Sequence, residues 1–265
     1  MKNDTFFYGK NGLKLHYKIS GEGKPVILLN SAFADLRVWS KVEESLSQKF
    51  KVIQLDFRYS GETENDDSEY SLFEDLDGLI NELELSHVNL IGLSAGGHTA
   101  LEYAISYPSK VDKIFMISSG LFGVEEDHRK VERMKSFQSA LYSGDVEEAA
   151  RIWTKLWLCG ESREEENLSL DKVLLFKEIT KHNLLKGINF KMPKFIEPPV
   201  NESLSALEKE VFHLIGSYDY NDVFDSSKIF KENIKNYKEL KVNSAHIIPF
   251  DLPEVVIESV LNFLE

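Results

Sequence analysis

"LIGLSAGGHTA", residues 90–100, runs an apolar stretch into a serine framed by small residues, Gly92-Leu93-Ser94-Ala95-Gly96. Glycines two positions either side of a hydroxyl suit a very tight bend, because neither carries a side chain that would collide where the chain crosses itself. Upstream, "HVNLIGL" reads as a short buried strand; downstream, "HTALEYAISY" continues at helical spacing until Pro108. Strand, turn and helix in that order thrust Ser94 out of the chain's path at the mouth of a helix. Three fixed positions also occur in ordinary turns, so the rest of the chain has to decide.

The flanking sequence repeats the same alternation. "GLKLHYKIS" alternates as a strand, "PVILLN" reads as a strand buried on both faces, and "ADLRVWSKVEESLSQKF" is helix-forming. "KVIQLDF", the helix "YSLFEDLDGLINELEL", the strand before Ser94 with its helix, and "VDKIFMISSG" follow. Such alternation predicts a mainly parallel, doubly wound sheet covered on both faces, an α/β fold. From residue 121 to 188 strand signals vanish and the chain is charged and helix-forming, which predicts a helical insertion. "FKMPKFIEPPV" reads as an extended return, after which "EVFHLIGSYDYNDV", a helix, "NYKELKV" and the helix "EVVIESVLNFL" complete the sheet. The expected organisation is one core domain, residues 1–120 and 189–265, carrying an insertion at 121–188.

With 265 residues, 42% of them hydrophobic, the chain can bury a large core. A net charge of −13 argues against sequence-independent binding to nucleic acid or to anionic membranes. Cys159 is the single cysteine, so no intrachain disulfide and no cysteine-based metal site is expected. No apolar run approaches spanning length, and the first residues lack the apolar core of a signal peptide. These features predict a soluble cytoplasmic protein, a monomer or homodimer, acting on a small molecule without a metal or cofactor.

A serine hydroxyl is a poor nucleophile at neutral pH, so Ser94 needs a base, and the base needs a group to fix its tautomer. Of seven histidines, His246 alone occupies a polar loop between the final strand and the final helix. His16, His87, His128, His182 and His213 suit surface or structural roles, and His98, on the helix after Ser94, is expected to point into packing. For the acid, "IGSYDYND" offers Asp219 and Asp222; Asp219 stands closer to the strand end and is the candidate. The loop after "KIFMISSG" holds no carboxylate.

At this point the chain resembles the α/β-hydrolase fold superfamily, in its compact, capped, serine-nucleophile form. The resemblance runs nearly end to end: "VILLNSAFADLRVW" is similar to the family's strand and oxyanion loop, "LDFRYSGET" to its Asp-x-Arg-Gly-x-Gly-x-Ser segment, and "NSAHIIPFDLPEVVIESVLNFL" to its terminal histidine segment. Asn30-Ser31 replace the usual His-Gly, and Tyr59 and Thr63 replace a glycine and a serine. The resemblance implies a Ser94–His246–Asp219 triad, an oxyanion hole from the backbone N–H groups of Ala32 and Ala95, and a helical cap made by the insertion. It places Asn30, Phe33 and Ile247 beside the substrate. Trp153 and Trp157, one helical turn apart, either line an acyl pocket or pack the insertion on itself. Relatives that open epoxides or displace halide use an aspartate nucleophile, so a serine implies an acyl intermediate or carbonyl addition. Esters, thioesters, lactones and the carbon–carbon bond of a diketone fit; a ligand sensor or partner-binding protein of the same fold is the non-enzymatic alternative.

Overall fold

Apolar runs and amphipathic helices assemble, in a computed structural model that describes residues 4–10, 13–66, 68–187 and 190–265, on one eight-stranded sheet. The strands are β1 (Asp4–Lys10), β2 (Leu13–Ser20), β3 (Pro25–Leu29), β4 (Lys51–Leu55), β5 (Val88–Leu93), β6 (Val111–Ile117), β7 (Glu210–Gly216) and β8 (Tyr237–Val242). Their order is β1-β2-β4-β3-β5-β6-β7-β8, with β2 antiparallel to both neighbours and β3 to β8 mutually parallel. All six residues of β5 are buried, as a central strand covered on both faces requires. The edge strand β8 mixes exposed and half-buried positions, and Lys238, Glu239 and Lys241 discourage pairing with another chain.

The helices are α1 (Ser40–Leu46), α2 (Leu72–Glu82), α3 (Ala95–Ser106), α4 (His128–Tyr142), α5 (Val146–Thr154), α6 (Leu170–Lys186), α7 (Val200–Ser203), α8 (Asn221–Asn233), α9 (Ile248–Asp251) and α10 (Pro253–Leu264). On one face Val42 and Leu46 of α1 and Val256 and Val260 of α10 share a core with Val26, Leu28 and Val52. On the other, Leu76, Leu79 and Ile80 of α2 and Leu101 of α3 pack with Ile27, Leu29 and Leu90. The chain passes from β3 to β4 on one side and then returns to β5 on the other. At such a switch point the carboxyl ends of the strands open a crevice.

One strand escapes the sequence reading, which starts the sheet at β2. β1 pairs with β2 from Asp4–Ile19 to Lys10–Leu13. The connecting residues, Asn11 and Gly12, lie outside the described residues, but Asn-Gly between two such runs is a strong hairpin signal.

Between β6 and β7 the chain makes α4 to α7 and no strand among the described residues. Phe137, Ala149, Ala150, Phe176 and Ile179 of this insertion join the core on the α1 and α10 side. The expected junction with the core domain, residues 188 and 189, lies outside the described residues. Among the described residues no helix is long and apolar enough to cross a membrane.

Candidate active site

The bend at Ser94 is enforced from three directions. Ser94 sits at φ 54°, ψ −113°, a left-handed conformation that costs a non-glycine residue about 1–3 kcal/mol and persists only when its surroundings over-determine it. A Cβ on Gly92 would lie 2.3 Å from the carbonyl of Gly96, and one on Gly96 would lie 2.3 Å from the carbonyl oxygen of Leu29 at the end of β3. A third glycine, Gly97, abuts the hydroxyl of Ser119, which a Cβ there would strike at 1.8 Å. The Ser94 N–H donates to Ile117 O at 2.8 Å, fixing the turn to β6. The two framing glycines therefore let strand, helix and neighbouring strand meet at one point, and Ser94 projects from it.

His246 follows β8 and Asp219 follows β7. The imidazole Nδ1 lies 3.0 Å from Asp219 Oδ1 and 2.9 Å from Oδ2, with both side chains buried. Asp219 Oδ1 also accepts from the Tyr220 N–H at 3.0 Å. The two loops are laced together: Ser217 N–H donates to Val242 O at 2.8 Å and Tyr218 N–H to Ser244 O at 3.0 Å. With Nδ1 bound to the carboxylate, Nε2 is the nitrogen left for proton transfer. His246 and Ser94 line one cavity of about 400 Å³, together with Ala95, the first residue of α3. The backbone N–H groups of a helix's first turn lack intrahelical acceptors, so this end of the cavity favours negative charge.

Asp222 lines the same cavity, but its Oδ2 takes the ammonium of Lys130 at 2.6 Å. His213 lies under the site, accepting the Ser119 N–H on Nε2 at 3.1 Å with Nδ1 2.8 Å from the Tyr237 hydroxyl, and burial pushes its pKa down to about 3. His98 is both packed and part of the cavity wall. Its ring lies 4.8 Å from Phe122 and 5.7 Å from Phe195, and burial, partly offset by a hydrogen bond to the Gly120 backbone, lowers its pKa to about 4, leaving it neutral.

Of the five side chains expected beside the substrate, Trp157 alone lines this cavity, its ring 4.5 Å from that of His246. Trp153, one turn earlier, is buried between Phe33 and Phe137, at ring distances of 4.9 and 4.8 Å. Phe33, itself at φ 50°, is drawn into that aromatic cluster. Asn30 is wholly buried and fully engaged: its amide donates to Leu55 O at 3.2 Å and Asp56 Oδ1 at 3.3 Å, and its carbonyl accepts from the Trp39 indole at 2.7 Å. Ile247 belongs to the core on the α1 face. Ala32, in the loop after β3, is exposed and lies outside the cavity lining. The cavity walls that sequence reasoning missed come from residues 120–124, together with Glu126, Lys130, Asp222 and Val223. Their signal was position: residues 121–124 follow β6, the neighbour of β5 at the same sheet edge.

The insertion reaches the loops of Asp219 and His246 through a π-helical turn, Lys155–Cys159. Trp157 O accepts the His246 N–H at 3.2 Å, and Tyr218 O accepts the Glu161 N–H at 2.9 Å. Gly160, at φ 79°, is pressed so close that a Cβ would lie 2.2 Å from Tyr218 O. Arg163 braces the turn by donating to Leu158 O at 2.7 Å and Cys159 O at 3.3 Å, and it pairs at 2.8 Å with Asp251, which also accepts from Ser244. At its other end the insertion grips the loops after β3 and β4. The buried Asn183 donates to Asp35 at 2.8 Å and accepts the Gly61 N–H at 2.7 Å.

The sequence profile of the alpha/beta hydrolase fold matches residues 24–251. The chain belongs to the α/β-hydrolase fold family. A 2-hydroxy-6-oxononadienedioate/2-hydroxy-6-oxononatrienedioate hydrolase of Pseudomonas putida is 29% identical over 125 residues, 44% of this chain and 44% of its own. An uncharacterized protein of Mycobacterium tuberculosis is 29% identical over 129 residues, 48% of this chain and 37% of its own. The chain thus spans less than half the length of these curated relatives. The enol-lactonase of Burkholderia xenovorans superposes with a TM-score of 0.79 at 19% identity, covering 97% of this chain and 99% of that one, a likeness of fold. Hydrolases of more than one chemistry share this family, so the reaction of this α/β hydrolase has to be argued from its own residues.

Proposed function

We propose that this α/β hydrolase is a serine hydrolase that cleaves a small ester, thioester or lactone through an acyl-enzyme. The observation that carries the reading is the buried His246–Asp219 pair facing the cavity into which the strained Ser94 projects. Ser94 Oγ attacks the carbonyl carbon while its proton passes to His246 Nε2. The oxyanion forms against the backbone N–H of Ala95, the first residue of α3, which lines the cavity. Collapse expels the alcohol or thiol, which takes the proton from His246, and a water deprotonated by the same nitrogen then releases the acid. Asp219 holds the imidazole by both oxygens and stabilises its charged form. The insertion serves as the cap that closes the cavity over the serine, with Leu121, Phe122, Val124, Lys130 and Trp157 among the wall residues it contributes.

The name of the P. putida relative supports a second reading, hydrolysis of a carbon–carbon bond next to a carbonyl, which the same three residues could run. A fluorophosphonate probe tests the shared part: covalent labelling at Ser94, lost in Ser94→Ala, is the expected result. Turnover of short-chain 4-nitrophenyl esters then separates an esterase from a carbon–carbon hydrolase or a slow sensor. A folded protein that neither labels nor turns over esters would overturn the proposal.

A further inference from the structure

Charged groups around the catalytic cavity are few and already committed to one another. Lys130, in the first turn of α4, places its ammonium 2.6 Å from Asp222 Oδ2 and 3.2 Å from Glu126, and 5.5 Å from the centre of the Trp157 ring. The Lys130 side chain is 11% exposed and that of Asp222 15%, whereas Glu126, at 59%, stands at the mouth. Burial works against the ammonium, but Asp222 and Glu126 outweigh it and keep its pKa above the ordinary value. Two carboxylates facing one ammonium leave this end of the cavity negative. His98 is neutral, and Leu121, Phe122, Val124 and Val223 supply apolar wall.

An acyl group ending in a carboxylate would meet two obstacles here. Lodged against the apolar wall, it would lose its hydration without a partner. Drawn to Lys130, it would have to displace Asp222 or Glu126 and leave that carboxylate beside it. The chain's net charge of −13 also opposes the approach of an anion. An uncharged acyl group encounters none of this, and apolar burial favours it.

We propose that the substrate presents an uncharged acyl group to this cavity, and that Asp222 and Glu126, which together outnumber the Lys130 ammonium, are the specificity element that rejects anionic ones. The proposal rests on Ser94 marking the substrate cavity. A negative group excluded by like charges, rather than by size, is a device for telling a neutral ester from a half-ester of a dicarboxylic acid.

The test compares 4-nitrophenyl butyrate with 4-nitrophenyl hemisuccinate, which match in chain length and differ in a terminal methyl or carboxylate. Wild-type kcat/KM should favour the butyrate by about tenfold or more, the scale of one unit charge at a few ångströms in a partly solvated site. Asp222→Asn and Glu126→Gln should each narrow that ratio, and Lys130→Met should widen it. The Lys130 variant carries the decision, since a lysine serving as an anion receptor would give the opposite sign. A wild-type preference for the hemisuccinate, or a ratio that narrows in Lys130→Met, would overturn the proposal. Calorimetric binding of butyranilide and succinanilic acid to Ser94→Ala keeps the question separate from catalysis. If no ester turns over but the neutral anilide still binds more tightly, the hydrolase reading fails and this one stands; equal binding, or tighter binding of the acid, overturns this one.

Discussion

The turn that carries Ser94 and the two loops that carry Asp219 and His246 meet at one edge of the sheet, but different parts of the chain hold them. Within five residues Gly92 and Gly96 admit the bend, with Leu29 and Ile117 of the flanking strands completing the contacts. The loops of Asp219 and His246 lean on the insertion instead, through Trp157 O, the Tyr218–Glu161 hydrogen bond, the crowded Gly160 and the Arg163–Asp251 pair. A strained, projecting serine can thus be built by local steric necessity. An imidazole whose carboxylate comes from a loop 27 residues away needs the surrounding fold to hold both. π-helical turns often occur at functional sites, and in this one the Trp157 carbonyl accepts the His246 N–H, with Glu161 just beyond it donating to Tyr218 O.

The largest effect tests the shared chemistry on which the contrast depends. Ser94→Ala, and nearly equally His246→Ala, should lower ester turnover by about 10⁴-fold or more, since residues acting as a unit fail together. Melting should change little for Ser94→Ala, because removing the hydroxyl leaves almost no cavity; substantial activity in either variant would break the assignment. Asp219→Asn should cost on the order of 10³–10⁴ in kcat by spoiling the tautomer, and Asp222→Asn far less. A reversal in steady-state kinetics would move the acid to Asp222.

Gly96→Ala tests the local half of the comparison. Its Cβ would be driven to 2.3 Å from Leu29 O, a backbone atom with no easy escape, so the bend must open. The expected cost is about 2–4 kcal/mol of stability, read by denaturant unfolding, together with loss of phosphonate labelling. Arg163→Ala tests the other half. It should lower kcat on the smallest ester by about tenfold to a hundredfold, as a misplaced base does, with partial rescue in Arg163→Lys. If acetate-ester turnover is unchanged, the loops hold themselves and the contrast collapses.

The smallest effect is a control on the nucleophile's helix. Glu102 is buried with the Ile196 N–H as a hydrogen-bond donor at 3.0 Å, and burial raises its pKa to about 7 despite that bond. The folded state therefore holds a proton that the unfolded chain releases near the ordinary carboxylate pKa. This contribution is complete at low pH and is lost as pH rises through about 7. Glu102→Gln should keep turnover within about twofold and gain stability relative to wild type at pH 8 more than at pH 4, measured by thermal melts.

The fold was legible because the alternation of apolar runs with helical patterns is a local property, and both the parallel sheet and the helical stretch after β6 follow from it. The hairpin partner β1 was overlooked, although Asn11-Gly12 is a signal that the sequence does contain. Candidate site residues were legible where loop order locates them: it singles out Ser94 and His246 and favours Asp219 over Asp222, without showing which aspartate reaches the imidazole. The tryptophans were not separable: Trp153 and Trp157 have the same composition around them and the same helical face. The change from α5 to a π-helical turn sends one into the Phe33 cluster and the other to His246.

By itself the sequence determined the bend at Ser94, since excluded volume at two glycines acts within a few residues, and the α/β alternation, since hydrophobic periodicity is written along the chain. Tertiary structure decided which aspartate meets the imidazole, which tryptophan walls the cavity, and that Lys130 of α4 neutralises Asp222 of α8. Those outcomes depend on pairings between residues up to 92 positions apart, and a charge or an aromatic ring carries no local mark of the partner it will find.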